Sequence, residues 1–320
     1  MNTMRAVLLD KVTGAEDIAL SECPVPEVRP GWVLVRIKAF GLNHSEKLLR
    51  LHEIQADYIQ KPVIPGIECV GEIADPSDSG LKTGQKVAAL MGGMGRSFNG
   101  SYAEYALLPR RIVFTVDTDL PWETAAAVPE TWFTAWGSLF ECLHLDKKDT
   151  LLIRGATCAL GYAAIQIAKA LGVHVTATTH RTEKLPLLSE ADEAVLDNGM
   201  LAGTVHGVTK ALDLIGPRSL KDTLFSMEKG GIVCQTGLLG GVYTLNGFDP
   251  IKDIPNGVFL TGFFSNYPSQ KDMDAVFSFL NEKKILPAYG KVFDFDHIKD
   301  AVYAQDHGTV NGKIIVSTGE

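Results

Sequence analysis

The chain has 320 residues, of which 46% are hydrophobic and 21% are charged, a balance typical of a globular protein with about two domains. Its net charge of −8 argues against a general nucleic-acid-binding function. No apolar run approaches the ~18 residues that a membrane-spanning helix needs, the amino-terminal segment lacks a signal-peptide pattern, and the five cysteines are scattered, so we expect a cytoplasmic protein without disulfides or a membrane partner.

The first part of the chain, residues 1–121, predicts a β-rich domain. Short apolar or alternating runs separated by proline and glycine clusters are typical of strands. These runs are MRAVLLD, WVLVRIKAFGL, ECVGEIAD, KVAAL and SYAEYALL. One segment, HSEKLLRLHEIQA, has apolar residues at near-helical spacing and predicts a helix.

The pattern changes after Pro121. The segment PWETAAAVPETWFTAWGSLFECL predicts helix interrupted at Pro129, and strands and helices then alternate from TLLIRGA to GVFLTGFF. Such alternation predicts βαβ units and a doubly wound parallel sheet with helices on both faces, over residues 122–265. The remaining residues, 266–320, predict two helices and a strand.

The segment GATCALG, residues 155–161, joins a predicted strand to a predicted helix. A turn of this kind binds a pyrophosphate through the free amides and the positive dipole end of its helix. Ala156 and Cys158 stand where two fingerprint glycines would be, whereas Gly161 keeps the role of close helix–strand packing. Ala159 and Leu160 would then offer their amides to the phosphates. The turn alone is equally typical of an ordinary crossover built with small residues.

The end of the next predicted strand reads Thr179-His180-Arg181, with Lys184 three residues further on. An NAD site usually has an acidic residue about 20 residues after the turn, where it accepts hydrogen bonds from the ribose. No acid stands at this strand end, and arginine can bind a 2′-phosphate bidentately. The pattern therefore favours NADPH as the cofactor. The alternative is that Arg181 and Lys184 are solvated charges at a helix start.

Six segments carry a resemblance that covers nearly the whole chain: GLNHSE (41–46), PGIECVGEI (65–73), GSYAEYALLP (100–109), PETWFTAW (129–136), GATCALG (155–161) and NGKIIV (311–316). Together they resemble the medium-chain dehydrogenase/reductase superfamily, and most of all its zinc-independent quinone oxidoreductase-like branch. The resemblance implies an α/β fold with a GroES-like β-rich catalytic domain and a Rossmann NADP-binding domain. Residues 122–265 would form the Rossmann domain, and residues 266–320 would return to the catalytic domain.

The resemblance also indicates which positions would ligate a catalytic zinc ion. Zinc-dependent members ligate the catalytic zinc with a cysteine in the GLN region and a histidine before the glutamate of the PGIE region. Those positions are Asn43 and Ile67 here, which cannot make a thiolate–imidazole zinc site. The segment 89–105 has no cysteine for the structural zinc of that branch, and His44 and Glu68 are only two scattered ligands. We therefore expect no metal.

Further site residues are implied by the resemblance alone. Asn43 and Thr134 would lie beside the nicotinamide as catalytic residues. The other residues expected to contact the cofactor are Gly237, Leu238, Phe263, Phe264, Ser265, Asn311 and Lys313. Each of these residues also has an alternative, purely structural interpretation. Asn43 would be a turn or cap residue, and Thr134 a helix threonine bonded to its own backbone. The two phenylalanines would pack in the core or at a dimer contact, and Lys313 would be an exposed charge.

The expected function is NADPH-dependent hydride transfer to a small-molecule quinone or α,β-unsaturated carbonyl. Alternatives are an NADPH-binding sensor or interaction protein with little turnover, an alcohol dehydrogenase with an unusual metal site, and an enoyl thioester reductase. The last uses a first-domain tyrosine that aligns near Ile54 or Gln55 rather than Tyr58, which indicates a surface or packing role for Tyr58. The resemblance implies a homodimer, for which GVFLTGFF is a candidate edge strand.

Overall fold

The computed structural model describes residues 2–319 of the chain. In this range the strands are β1 (Thr3–Val7), β2 (Leu20–Pro24), β3 (Trp32–Gly41), β4 (Glu68–Asp75), β5 (Lys86–Leu90), β6 (Tyr105–Pro109), β7 (Val113–Thr115), β8 (Thr150–Arg154), β9 (His174–Thr179), β10 (Glu193–Leu196), β11 (Lys210–Asp213), β12 (Ile232–Gln235), β13 (Phe259–Gly262), β14 (Lys291–Asp294) and β15 (Ile314–Ser317).

The helices in the same range are α1 (His44–Leu51), α2 (Trp122–Ala125), α3 (Pro129–Trp136), α4 (Ala159–Leu171), α5 (Leu220–Phe225), α6 (Pro250–Asp253), α7 (Gln270–Lys283) and α8 (Ile298–His307). Short 3-10 helices span Ala15–Asp17, Glu53–Gln55, Arg110–Ile112, Thr182–Leu188 and Phe295–His297, and a π-helical segment spans Gly137–Cys142. No helix between residues 2 and 319 is both long and apolar enough to cross a membrane.

The chain divides into two compact units. The first runs up to Phe133 and resumes at Asn266, and the second is Thr134–Ser265. The sequence pattern predicted the first change of domain at residue 122, whereas the two units divide inside α3. The reason is that α2 packs against β3, β4 and β15 of the first unit.

The first unit is built on a largely antiparallel sheet. Its strand order is β14-β15-β3-β4-β5-β7, with β6 also paired to β3, and β1 and β2 form a separate two-stranded sheet. The ten-residue β3 pairs with β4, β6 and β15, and register shifts along β3 interrupt its pairing with β4. Its core-facing Phe40 stacks on Tyr102 and meets Phe295 edge-on. Asn43 lies two residues after the end of this central strand.

The second unit is a six-stranded, entirely parallel sheet in the order β10-β9-β8-β11-β12-β13. Within this unit the chain first forms the central strand β8 and adds β9 and β10 on one side of it. It then crosses to the other side of β8 to form β11, so the order of the strands reverses between β8 and β11. Ligands of open α/β sheets bind at such a reversal, outside the carboxyl ends of the strands. The predicted edge strand GVFLTGFF supplies β13, which is at one edge of this sheet.

Two predicted helices are shorter or tighter than expected. The helix that begins at His44 ends at Leu51 and continues only as the 3-10 turn Glu53–Gln55. The predicted helix after Arg181 is the 3-10 helix Thr182–Leu188, which contains Pro186. Because proline has no backbone N–H and its ring clashes with the preceding turn, it disfavours a regular α-helix at this point.

Candidate active site and nucleotide cavity

The turn between β8 and α4 has the geometry of a tight strand–helix junction. Gly155 adopts φ +80°, a conformation that favours glycine. A Cβ on Gly161 would lie 2.1 Å from the carbonyl oxygen of Ala156, so Gly161 allows α4 to pack closely on the turn. Ala159 and Leu160 are the first two residues of α4, where amides have no intrahelical acceptor.

Cys158 caps α4. Its Sγ accepts a hydrogen bond from the Gly161 amide at 3.4 Å and donates one to the Gly155 carbonyl at 3.6 Å. Burial raises the pKa of the Cys158 thiol, although the amides of Gly161 and Leu160 oppose this shift. The thiol is therefore neutral near pH 7, and no thiolate competes with an anionic ligand for the positive end of the helix.

A cavity of about 510 Å³ lies at the carboxyl ends of the parallel strands. It brings together four of the residues predicted from the sequence, Thr179, His180, Arg181 and Lys184, with Cys158 of the turn. Leu239 and Gly240, which directly follow the predicted Gly237 and Leu238, line the same cavity. A volume between ~300 and 1,000 Å³ is typical of ligand sites in proteins.

The cations of this cavity crowd one another. Arg181 is exposed and its Nε donates to Nε2 of His180 at 3.3 Å. Partial burial and the charge of Arg181 lower the pKa of Lys184. Like charges held close together cost free energy unless an anion lies between them, so this pair is suited to a phosphate.

Arg154 and Arg218 also line the cavity and were not predicted from the sequence. Arg154 is buried at the end of β8, where its Nε and Nη2 donate to Asp197 at 2.8 and 3.0 Å. Its Nη1 also lies 2.7 Å from Asp222. A charged residue at the end of the apolar run TLLIR is the signal that could have revealed it.

Asp213 shapes the loop that carries Arg218. Its Oδ1 accepts the amides of Ile215 and Gly216, both at 2.9 Å, and its Oδ2 accepts the Thr223 hydroxyl at 2.6 Å. Burial raises the pKa of Asp213, but these hydrogen bonds and the charge of Arg154 oppose the shift. This carboxylate therefore fixes the backbone beside the cavity rather than facing a ligand.

Six other predicted residues of the second unit do not line this cavity. Thr134 is buried in α3, and its carbonyl accepts the Ser138 hydroxyl at 2.7 Å. Gly237 packs so closely that a Cβ would lie 2.2 Å from the Leu214 carbonyl oxygen. Phe263 lies against Gly137. Phe264 is 70% exposed, which excludes core packing within this chain, and Leu238 and Ser265 are partly exposed.

In the first unit, Asn43 joins a buried polar cluster with Glu68 and Lys313. Its Nδ2 donates to Oε1 of Glu68 at 2.8 Å, and its Oδ1 accepts from Nζ of Lys313 at 2.6 Å. The same ammonium lies 2.5 Å from Glu68. The interpretation of Lys313 as an exposed charge is therefore wrong, since its side chain is 2% exposed. Asn311 is exposed in the loop before β15.

Glu46 is a second buried carboxyl in this cluster and was not predicted from the sequence. Its Oε2 accepts the Asn43 amide at 2.8 Å and its Oε1 accepts the Ile67 amide at 3.1 Å. Burial raises its pKa to about 7, against the opposing charge of Lys313. The spacing Asn43-x-x-Glu46 is a capping-box pattern, and this signal could have identified Glu46 as a residue tied to the start of α1.

The structure also gives the positions of His44 and Tyr58, whose roles the sequence left open. His44 is an exposed residue at the start of α1, and partial burial of its ring lowers its pKa. Tyr58 is 64% exposed, and its hydroxyl donates to Glu53 at 3.4 Å. Within residues 2–319, no group of three or more His, Cys, Asp or Glu side chains is arranged to hold a metal ion.

Comparison with known proteins identifies relatives over the whole chain. The family described as "Alcohol dehydrogenase GroES-like domain" matches residues 29–118, and "Zinc-binding dehydrogenase" matches residues 159–282. A quinone oxidoreductase from Pongo abelii is 26% identical over 98% of this chain and 97% of its own length.

Two further similarities have the same extent along this chain. Highly reducing polyketide synthase azaB from Aspergillus niger is 25% identical over 98% of this chain, which spans only 13% of that much longer protein. The crystal structure of an NAD-dependent alcohol dehydrogenase gives a TM-score of 0.85 at 25% identity, with 99% of this chain and 100% of that chain covered.

These matches confirm the fold class predicted from the sequence, a GroES-like domain with a Rossmann-type parallel-sheet domain. They confirm the predicted resemblance as well. The chain belongs to the medium-chain dehydrogenase/reductase superfamily, in its quinone oxidoreductase-like branch.

Proposed function

We propose that this protein is an NADPH-dependent, zinc-independent oxidoreductase that reduces a quinone or an α,β-unsaturated carbonyl by hydride transfer. Its superfamily consists of oxidoreductases, and one relative is named a quinone oxidoreductase. Another is named a highly reducing polyketide synthase, and a related structure is named an NAD-dependent alcohol dehydrogenase. These names support a nicotinamide cofactor, a small organic substrate and reduction as the direction of reaction.

The observation that carries the proposal is the cationic cavity at the carboxyl edge of the parallel sheet. The residues there fit a phosphorylated dinucleotide. The first amides of α4, from Ala159 and Leu160, would hold the pyrophosphate, and Gly161 keeps the helix close enough to do so. Arg181 and Lys184 would hold the 2′-phosphate.

The preference for NADPH over NADH follows from the charges around this cavity. The strand β9 ends in Thr179, whose hydroxyl lies 3.2 Å from that of Thr157, and no carboxylate occupies this strand end to accept the ribose hydroxyls. Asp197 does line the cavity, but both of its oxygens are bonded to Arg154. The remaining cations are therefore free to favour an added phosphate.

A zinc-independent reaction fits the donor set of the first unit. Asn43 and Ile67 provide an amide and a hydrocarbon at the family's ligand positions, and the amide is engaged with Glu68 and Lys313. The ammonium of Lys313 already neutralises Glu68, so the cluster has its own cation. The further contacts proposed for the cofactor are Asn43, Thr134, Gly237, Leu238, Phe263, Phe264, Ser265, Asn311 and Lys313.

Little further chemistry is asked of the protein. When bound, the nicotinamide supplies the hydride. An electron-poor quinone or enone accepts it without a Lewis acid, and the resulting quinol anion or enolate takes one proton, for which water suffices. The chain's residues bind the reactants and orient them.

Stopped-flow loss of NADPH absorbance tests the proposal against a panel of quinones and enones. We expect turnover with at least one member and none with its saturated or alcohol counterpart. Turnover of an alcohol with NADP⁺ that is abolished by chelators would contradict the zinc-independent mechanism. Tight NADPH binding without turnover of any panel member would contradict the proposed enzyme and favour a sensor.

Replacing Arg181 with Ala tests the cofactor preference separately. Because a charge-assisted hydrogen bond contributes ~1.5–3 kcal/mol, we expect NADPH to bind roughly 10- to 100-fold more weakly, with NADH nearly unchanged. Titration calorimetry measures both. Lys169→Ala is the control, because Lys169 pairs with Asp192 and does not line the cavity. Equal losses for both cofactors would show that Arg181 does not contact the 2′-phosphate.

A further inference from the structure

The first unit contains a second cavity, of about 600 Å³, to which the proposed reaction assigns no role. It opens beside the first residue of β3, Trp32, and along β6, and all of its lining residues belong to the first unit. Trp32 and Gly41 are at opposite ends of β3, which is ~30 Å at about 3.3 Å per residue. This end of the cavity is therefore remote from Asn43, and the cavity is distinct from the one in the second unit.

The charged side chains that line this cavity are all cationic. Three arginines line it, Arg29, Arg96 and Arg111, and no aspartate or glutamate does so among the described residues. Arg96 is neutralised, because its Nε and Nη2 donate to Glu53 at 2.7 and 3.2 Å. Arg29 and Arg111 form no ion pair within residues 2–319, and Nη2 of Arg111 donates to the Gly92 carbonyl at 3.1 Å. On a chain with net charge −8, two unneutralised guanidinium groups in one cavity favour an anion.

Three aromatic rings also line the cavity, among aliphatic and small polar side chains. The guanidinium carbon of Arg29 lies 3.9 Å from the centroid of the Trp32 ring, and Trp32 meets Phe98 edge-on at 5.3 Å. Trp32 is half-buried, and Tyr105 lines the cavity from β6. Aromatic and guanidinium planes of this kind accept a flat ring in a stacked or edge-on arrangement.

From this combination we propose that the cavity binds a planar aromatic carboxylate, with its ring against Trp32 and Phe98 and its carboxylate on Arg29 and Arg111. Guanidinium pairs with carboxylate through two parallel hydrogen bonds, which sets both the charge and the shape of the ligand. A volume of 600 Å³ holds a one- or two-ring compound. The site requires neither the nicotinamide cofactor nor the quinone or enone of the proposed reaction.

Titration calorimetry of the full chain with 2-naphthoate, in the presence of saturating NADPH, tests this site. We expect saturable binding, and at least tenfold weaker binding of the neutral isostere 2-naphthamide. Arg29→Gln and Arg111→Gln should each weaken naphthoate binding about tenfold. Arg110→Gln is the matched control, since Arg110 adjoins Arg111 but its Nη1 donates to the Val113 carbonyl at 2.6 Å and its side chain does not line the cavity.

Tryptophan fluorescence provides an independent readout. Naphthoate should quench the emission of the wild type, and Trp32→Phe should remove most of that change while naphthoate still binds. The proposal is overturned if naphthoate shows no binding, if the amide binds as well as the acid, or if Arg110→Gln weakens binding as much as Arg111→Gln does. Loss of binding in Arg181→Ala would also overturn it, by assigning the probe to the nucleotide cavity.

Discussion

Glu46 links a local backbone motif to the pH dependence of folding. Its carboxyl is buried, and its pKa is raised from an ordinary 4.5 to about 7 because burial disfavours the charged form. A carboxyl with a raised pKa binds its proton more tightly in the folded state than in the unfolded state. Its contribution to stability is therefore complete at low pH and is lost as the pH rises from about 4.5 through about 7.

Replacing Glu46 with Gln should remove this loss. At about 1.4 kcal/mol per pKa unit, we expect the free energy of unfolding of the wild type to fall by about 2 to 3 kcal/mol between pH 5 and 8 relative to Glu46→Gln. A constant offset between the two proteins is expected as well, since an amide cannot accept from both the Asn43 and Ile67 amides. Urea unfolding at pH 5, 6, 7 and 8 measures both quantities.

The control for this prediction is the exposed Glu190, whose replacement with Gln should leave the pH dependence of the wild type intact. Parallel stability curves for wild type and Glu46→Gln would show that Glu46 does not titrate in this range. The cluster around Glu46 also shows what sequence alone could not reveal. Lys313 and Asn43 are 270 residues apart, and no local pattern signals that a lysine before an apolar strand is buried against a distant amide.

At the level of elements, the sequence predicted best where the pattern is periodic. The alternation of strands and helices predicted the parallel sheet. The segments GATCALG (155–161) and THRTEK (179–184) predicted a nucleotide site at its carboxyl edge, and seven residues of these two segments line one cavity there. The 3-10 helix Thr182–Leu188 and the end of the first unit inside α3 were not predicted. Both depend on packing against other strands or on Pro186, rather than on the apolar period of the segment.

Gly161→Ala tests the turn between β8 and α4. The added Cβ would lie 2.1 Å from the Ala156 carbonyl oxygen and 2.6 Å from its Cα, and these backbone atoms cannot yield as a flexible side chain would. Helix α4 must therefore shift. We expect the free energy of unfolding to fall by about 1–3 kcal/mol, as for other overpacked sites, and NADPH affinity to fall more than tenfold in a fluorescence titration.

Ala163→Gly is the matched control within the same helix. It costs ~1 kcal/mol of helix propensity without changing the turn, so it should destabilise the protein while NADPH affinity stays near that of the wild type. If both variants lose NADPH affinity in proportion to their loss of stability, the effect of Gly161 is on folding rather than on the phosphate site.

For the whole molecule, the distribution of charge matters more than its total. The net charge of −8 excludes little about ligands, because each unit contains a cavity in which arginines outnumber acidic residues. In the second unit the acid is Asp197, which Arg154 neutralises, and in the first unit the acid paired with Arg96 is Glu53, outside the lining. Anions of two different shapes can therefore be attracted to an acidic protein at two separate places.

Assembly is the remaining prediction for the whole molecule, and it concerns the sheet edge at β13. This strand pairs with β12 on one side, and its first residue, Phe259, is 60% exposed. An exposed edge of this kind invites pairing with a second copy, and a two-fold axis would bring the two β13 strands together antiparallel.

We expect a homodimer in light scattering coupled to size-exclusion chromatography. Phe259→Lys should dissociate it, because a charged side chain would replace an apolar one that the second copy would cover. Phe225→Lys, at a 54% exposed phenylalanine on α5, a helix that packs against β11 and β12, should leave the dimer intact. A monomeric wild type, or equal dissociation by both variants, would rule out assembly through β13.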